Sequence, residues 1–230
     1  MKKTKIVQRV IALYFSINFF VTISIVVVLM FLFRKHHRKF RLIWAKLQLK
    51  LLRVKLKIIG KPDEDAKMLI LNHQSIADII ITEALYPADL AWVAKKEIGK
   101  IPFFGHILDL PEMIIIDRED KKSLVKLIKD AKDRLSKGRV IAIFPEGTRG
   151  SGKKLLKFKA GAKIVANKLN LKVQPVVMIG TINIFDSKNF LANFTKAKLV
   201  YLSSIDPSSN PSWYEDVRNK MENTLSKELL

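Results

Sequence analysis

The chain opens on an apolar run, Val10 to Phe33, that carries no charge. It is about 24 residues, or roughly 36 Å of helix, enough to span a bilayer. Arg34-Lys35-His36-His37-Arg38-Lys39 ends it, and no small-residue cleavage site follows, so it does not read as a signal peptide. Polar breaks at Ser16, Asn18, Thr22 and Ser24 leave a second arrangement open. The segment can lie deep in one leaflet, or form a hairpin with the next helix, without crossing. From about Arg38 to Leu52, apolar Phe40, Ile43, Leu47 and Leu51 recur at helical spacing while Arg38, Lys39, Arg41, Lys46 and Lys50 fill other faces. That is a basic amphipathic helix suited to an anionic headgroup surface. Its ordinary alternative is a core-facing helix with a solvated basic face.

At Arg53 the period drops to 2: Val54, Leu56 and Ile58 alternate with Lys55 and Lys57, a strand with one wet face. Gly60 to Asp63 is a turn, and short apolar runs at 68–71, 91–94, 113–116, 140–144, 173–180 and 197–202 predict further strands. Between them the pattern predicts helices over 76–85, 120–137 (closed by Gly138) and from Lys157 to about Leu169. Residues 203–212 form a turn-rich linker, and an amphipathic helix over 211–230 ends the chain. Strands alternating with helices make an α/β domain over 53–230, preceded by membrane-anchoring helices over 1–52.

Charge sharpens the picture. The 230 residues carry a formal net charge of +21, and no acidic residue occurs before Asp63. An excess of this size indicates a polyanionic partner. Its concentration around the apolar run favours anionic membrane lipids over nucleic acid. The distal basic flank is the stronger, which places the bulk of the chain on the cytoplasmic face of the cell's inner membrane. There is no cysteine, hence no disulfide and no thiol nucleophile; the few histidines and the lack of H-E-x-x-H give no basis for a metal.

The candidate chemistry lies at Leu69–Asp78, L-I-L-N-H-Q-S-I-A-D, a strand, a polar turn and a helix start. In open α/β sheets ligands sit at the carboxyl ends of strands, where His73 falls. Residues five apart on one helix point about 140° away from each other, so His73 and Asp78 meet only if His73 lies in the loop and Asp78 reaches back. Asp78 would then hold one ring nitrogen while the other takes a proton from a hydroxyl. Equally, Ser75-x-x-Asp78 matches a capping box, which is purely structural. A second strand, Val140–Phe144, runs into Pro145-Glu146-Gly147-Thr148-Arg149.

Together N-H-Q-S-x-x-D and F-P-E-G-T-R resemble the first and third motifs of the glycerolipid acyltransferases, in the same order and at similar separation. The resemblance runs from about Arg53 to about Gly180. It implies a mixed sheet flanked by helices, with His73 and Asp78 as a general-base dyad. The segment Lys95 to Gly105 is similar to the stretch after the family's third strand and implies a substrate contact by Lys96. Met113–Ile116 with Asp117-Arg118 is similar to the second motif, but Glu112-Met113 stands where the family has a glycine. Phe158-Lys159-Ala-Gly161 follows the third motif as in the family, and Val173–Gly180 is similar to the fourth, with Gln174 replacing an apolar residue.

The implied reaction moves an acyl chain from acyl-CoA or acyl carrier protein to the sn-2 hydroxyl of 1-acyl-glycerol-3-phosphate (lysophosphatidic acid), with no further cofactor. Arg118 and Arg149 are expected to hold phosphate, Gly147 to admit a close ligand, Glu146 to accept from glycerol hydroxyls, and Thr148 to hold the loop or the phosphate. Glu146 and Arg149 pairing with each other is the structural alternative. Lys153, Lys154, Lys157 and Lys159 are expected to attract headgroups or an acidic donor carrier. Two rival functions stay open: acylation of another lysophospholipid or an amino-acid-based lysolipid, and non-enzymatic binding of anionic lipid.

Overall fold

The computed structural model describes residues 4–117, 120 and 123–229. In order these form α1 (Lys5–Leu32), α2 (His37–Leu51), β1 (Lys55–Ile59), β2 (Met68–Leu71), α3 (Ile76–Leu85) and β3 (Leu90–Lys95). Then come α4 (Lys96–Gly99), α5 (His106–Asp109), β4 (Ile114–Ile116), α6 (Ser123–Ser136), β5 (Val140–Ile143), α7 (Ala160–Lys168) and β6 (Val173–Ile179). The chain ends with α8 (Thr181–Ile184), β7 (Phe185–Asp186), β8 (Leu191–Ala192), β9 (Lys196–Tyr201) and α9 (Trp213–Leu229).

Seven strands form a mixed sheet in the order β1-β9-β6-β2-β5-β3-β4. β6, β2, β5, β3 and β4 run parallel, and β9, paired parallel with β1, runs antiparallel to β6. Met68, Leu69, Ile70 and Leu71 are all fully buried, because both faces of the sheet are covered. Leu69 and Leu71 join a cluster with α1, α2 and α3; Met68 and Ile70 join one with α6, α7 and α9. The continuous apolar runs in the sequence are these doubly covered central strands.

Helix α1 lies against the rest of the chain for most of its length. Ile11, Phe15, Ile23, Val27 and Met30 are buried, while Ile17, Val21, Ile25, Val28 and Phe31 are exposed. The polar residues that interrupt its apolar run are the glue to α2. Gln48 Nε2 donates to Thr22 Oγ1 (2.7 Å) and Asn18 Oδ1 (3.2 Å), and Trp44 Nε1 donates to Thr22 Oγ1 (3.0 Å). A buried ion cluster then ties α2 down: Arg41 pairs with Glu83 at 3.0 Å and with Asp89, and Asp89 also pairs with Arg139 at 3.2 Å.

Three readings of the pattern change. Helix α7 begins at Ala160, after an extended stretch through Lys159. The missing glycine before β4 is answered by Glu112 itself, which adopts a left-handed φ of 50°. Such a backbone costs a side-chain-bearing residue about 1–2 kcal/mol. The surroundings hold it there: the Glu112 carbonyl accepts from Arg134 and Arg139, and its carboxylate pairs with Lys137 at 2.7 Å. The third change is α8, β7 and β8, which pack over the site from a stretch with no marked periodicity.

Candidate active site

The carboxyl ends of β2, β5 and β6 are adjacent, so the segments that leave them meet. Asn72 fixes the first. Its side-chain amide donates to Met178 O (2.9 Å) and accepts from Met178 N (2.7 Å), pinning the β2 exit to β6. Gln74 Nε2 adds a 2.7 Å bond to Met178 O. His73 is thereby held at the strand end, and α3 starts two residues later with Ser75 as N-cap.

Asp78 is fully buried and reaches back from the first turn of α3. Its Oδ2 lies 2.8 Å from His73 Nδ1 and accepts from Gln74 N (2.6 Å) and Ser75 N (2.8 Å). Thr181 Oγ1, from the segment after β6, donates to Oδ1. The capping box and the His-Asp contact are therefore one arrangement: the same oxygen that caps α3 accepts from the imidazole. With a carboxylate on Nδ1, the neutral ring carries its proton there and presents a bare Nε2. Nε2 has no hydrogen-bond partner among the described residues. Phe144 stacks on the imidazole with ring centroids 3.9 Å apart and planes 14° apart, and Trp92 stacks on Phe144 from the other side.

The segment leaving β5 wraps beneath His73. Glu146 is buried; its Oε1 accepts from His73 N (2.8 Å) and its Oε2 from Leu156 N (2.7 Å). Gly150 N donates to His73 O (2.8 Å), closing the loop on the histidine. Burial pushes the Glu146 carboxyl up to about 7, against the opposing pull of the two backbone donors. Glu146 does not pair with Arg149. Arg149 instead donates to Ser187 Oγ (2.8 Å), in the turn between β7 and β8. Its side chain borders an apolar cavity of 360 Å³ between α1, α2, α3 and that turn, lined by Phe15, Phe19, Phe20, Ile76, Ile80 and Phe185 among others.

The remaining expectations separate. Thr148 is exposed and makes no side-chain hydrogen bond among the described residues. Lys96 pairs with Asp117 just past the carboxyl ends of β3 and β4, towards the sheet edge. Arg118 lies outside the described residues. Gly147 takes a left-handed φ of 72°, and what approaches it closely is the Lys159 side chain. Thr181 carries no sequence signal beyond following a strand end, and Phe144 was visible only as the last residue of an apolar run. Among the described residues no group of three or more His, Cys, Asp or Glu is arranged to hold a metal.

Comparison with known proteins places the chain among relatives of known kind. The acyltransferase family model matches residues 55–179. The chain is 50% identical over 176 residues to a 1-acyl-sn-glycerol-3-phosphate acyltransferase of Helicobacter pylori, covering 76% of this chain and 74% of that one. A lyso-ornithine lipid O-acyltransferase of Rhizobium meliloti is 31% identical over 117 residues, 50% of this chain and 39% of that one. The crystal structure of the 1-acyl-sn-glycerophosphate (LPA) acyltransferase of Thermotoga maritima superposes with a TM-score of 0.77 at 26% identity, covering 98% of this chain and 95% of that one. With the family model spanning more than half of its length and relatives matched over the same segment, the chain belongs to the acyltransferase family.

Proposed function

We propose that the protein transfers a fatty acyl chain from an acyl thioester to the sn-2 hydroxyl of 1-acyl-glycerol-3-phosphate, giving phosphatidic acid. The observation that carries this is the 2.8 Å contact between His73 Nδ1 and the buried Asp78, which leaves Nε2 to face a substrate. Nε2 takes the hydroxyl proton as the alkoxide oxygen attacks the thioester carbonyl, and Asp78 stabilises the imidazolium. Collapse of the tetrahedral intermediate breaks the carbon–sulfur bond. The departing thiolate takes the proton back from Nε2, so the dyad is restored and no acyl-enzyme forms. The His73 backbone, its N–H donating to Glu146 and its carbonyl accepting from Gly150 N, keeps the ring in place. The apolar cavity beside α3, with Arg149 at its border, suits an acyl chain joined to an anionic headgroup.

The N-terminal helices supply the membrane surface. Helix α1 is long and apolar enough to cross a membrane. Its contacts, however, run from Gln8, which bonds Asn193, through Phe15 on Phe194 and Phe20 on Phe104, to buried Met30. A crossing helix would leave the α/β part within a few turns. Contacts over about 33 Å favour a helix lying in one leaflet, its exposed Ile17, Val21 and Ile25 toward lipid. Residues 1–52 thus act as the anchor and 53–230 carry the chemistry on the cytoplasmic face, the two sharing one apolar cluster.

An acyl-transfer assay on membranes containing the full chain tests the function. It uses acyl-CoA and acyl carrier protein as donors, with lysophosphatidic acid, other lysophospholipids and lyso-ornithine lipid as acceptors. Fastest turnover of lysophosphatidic acid is expected; preference for another lysolipid reassigns the acceptor, and lipid binding without turnover removes the enzymatic reading. The chain has no cysteine, so one placed at Thr4 reports topology alone. Labelling of it from the side opposite the catalytic part would refute the one-leaflet arrangement.

A further inference from the structure

Lys159 stands out because local folding does not account for it. It is the N-cap residue of α7, in extended backbone, and its side chain makes no cap bond. A lysine has no acceptor for the first helical N–H groups, and its charge faces the positive end of the helix dipole. The backbone here is nonetheless held firmly. Lys159 N donates to Pro145 O (2.9 Å), and Lys159 O accepts from Tyr214 Oη (2.7 Å).

These bonds aim the side chain at the loop beneath His73. A Cβ built on Gly147 would lie 3.1 Å from Lys159 Cε and 3.3 Å from Nζ. The absence of a side chain at Gly147 is thus what lets the lysine stem cross the loop. Nζ has no hydrogen-bond or ion-pair partner among the described residues. The carboxylate one residue away, Glu146, has both oxygens on backbone donors. Arg149, two residues along, turns toward Ser187 and the apolar cavity. Among the described residues the cation laid over the loop that holds the histidine is therefore Lys159.

We propose that Lys159 contacts the substrate, its ammonium receiving the phosphate of the acceptor lipid while His73 faces the hydroxyl. This rests on the function proposed above. A phosphate accepts a compact, mobile ammonium from one side without needing the planar fork of an arginine. Gly147 serves the ligand indirectly, by making room for the lysine.

Steady-state kinetics of the full chain, reconstituted with lipid, tests this. The variants are Lys159→Ala, Lys159→Met (which keeps the stem on Gly147 and removes the charge) and Lys159→Arg. Both uncharged variants should raise KM for lysophosphatidic acid about ten- to hundredfold, the range for losing a bond to a charged group, with kcat changed less than about threefold. Lys159→Arg should recover most of the loss, and KM for acyl-CoA should stay put. A phosphate-free 1-acylglycerol acceptor should respond far less. Equal losses on both acceptors, a rise confined to acyl-CoA, or loss in the alanine variant but not the methionine variant would each overturn the assignment. So would no change in any variant. If the wild-type chain fails to turn over lysophosphatidic acid, the function itself falls, and that result precedes any variant.

Discussion

The two ends of the central strands β2, β5 and β3 both carry buried charge, and they handle it in opposite ways. At the amino ends, Asp89 and Glu83 are met by two guanidinium groups, Arg41 and Arg139, and Trp92 Nε1 also donates to Glu83. The arginines are spent on further bonds to the Leu90 and Pro111 carbonyls. Beyond the carboxyl ends of β2 and β5, Asp78 and Glu146 receive backbone N–H groups, a hydroxyl and the imidazole, and among the described residues no arginine or lysine pairs with either. The first cluster pairs charge with opposite charge and locks α2 to the sheet. The second is held by the fold and leaves one nitrogen, His73 Nε2, without a hydrogen-bond partner among the described residues. Charge neutralised by charge makes a lock; charge held by backbone donors keeps a histidine poised.

The comparison predicts that damage at the carboxyl end falls on rate. His73→Ala should lower kcat by about two to four orders of magnitude with little loss of stability, since only one side-chain hydrogen bond and one ring stack are lost. Asp78→Asn should approach that loss in rate and also destabilise, because the same oxygen caps α3. An Asp78→Asn enzyme with more than about a tenth of wild-type kcat would reduce this carboxylate to a cap. Damage at the amino end should fall on stability instead. Arg41→Met leaves buried Glu83 without its guanidinium and should cost about 3–5 kcal/mol in denaturant unfolding, with kcat per folded molecule nearly unchanged. A rate loss as large as that of His73→Ala would erase the distinction between the two ends.

Glu146 gives a smaller, pH-dependent effect. Burial moves its carboxyl from 4.5 to about 7, so the native state binds its proton more tightly than the unfolded chain. The stability that proton confers is therefore complete below pH 4.5 and is lost as pH rises through about 7. The stability difference between wild type and Glu146→Gln should fall by about 3 kcal/mol over that window. A difference that stays flat between pH 4.5 and pH 8 would mean that Glu146 is ionised throughout. Smallest is Arg149→Ala. Arg149 is exposed, and among the described residues its side chain bonds Ser187 alone, so removing it should raise acceptor KM about threefold to tenfold and leave stability within about 0.5 kcal/mol. An effect equal to that of Lys159→Ala would return Arg149 to the loop beneath His73.

What the sequence by itself determined is local and periodic. The apolar runs named the strands because a doubly covered strand must be apolar at every position. The five-residue spacing from His73 to Asp78 allowed contact only across a loop-to-helix corner, and backbone geometry alone makes that so. The long uncharged run marked an apolar helix without telling how it lies. Tertiary structure decided the rest, because those facts are set by residues distant in the chain. Asn18 and Thr22 look like interruptions until Gln48 and Trp44 arrive to bond them. Arg149 looks aimed at phosphate until Ser187 draws it aside. Thr181 is an ordinary residue after a strand until β6 sets it against Asp78. A lysine in a row of lysines becomes distinct only when Pro145, Tyr214 and a bare glycine turn it over the site.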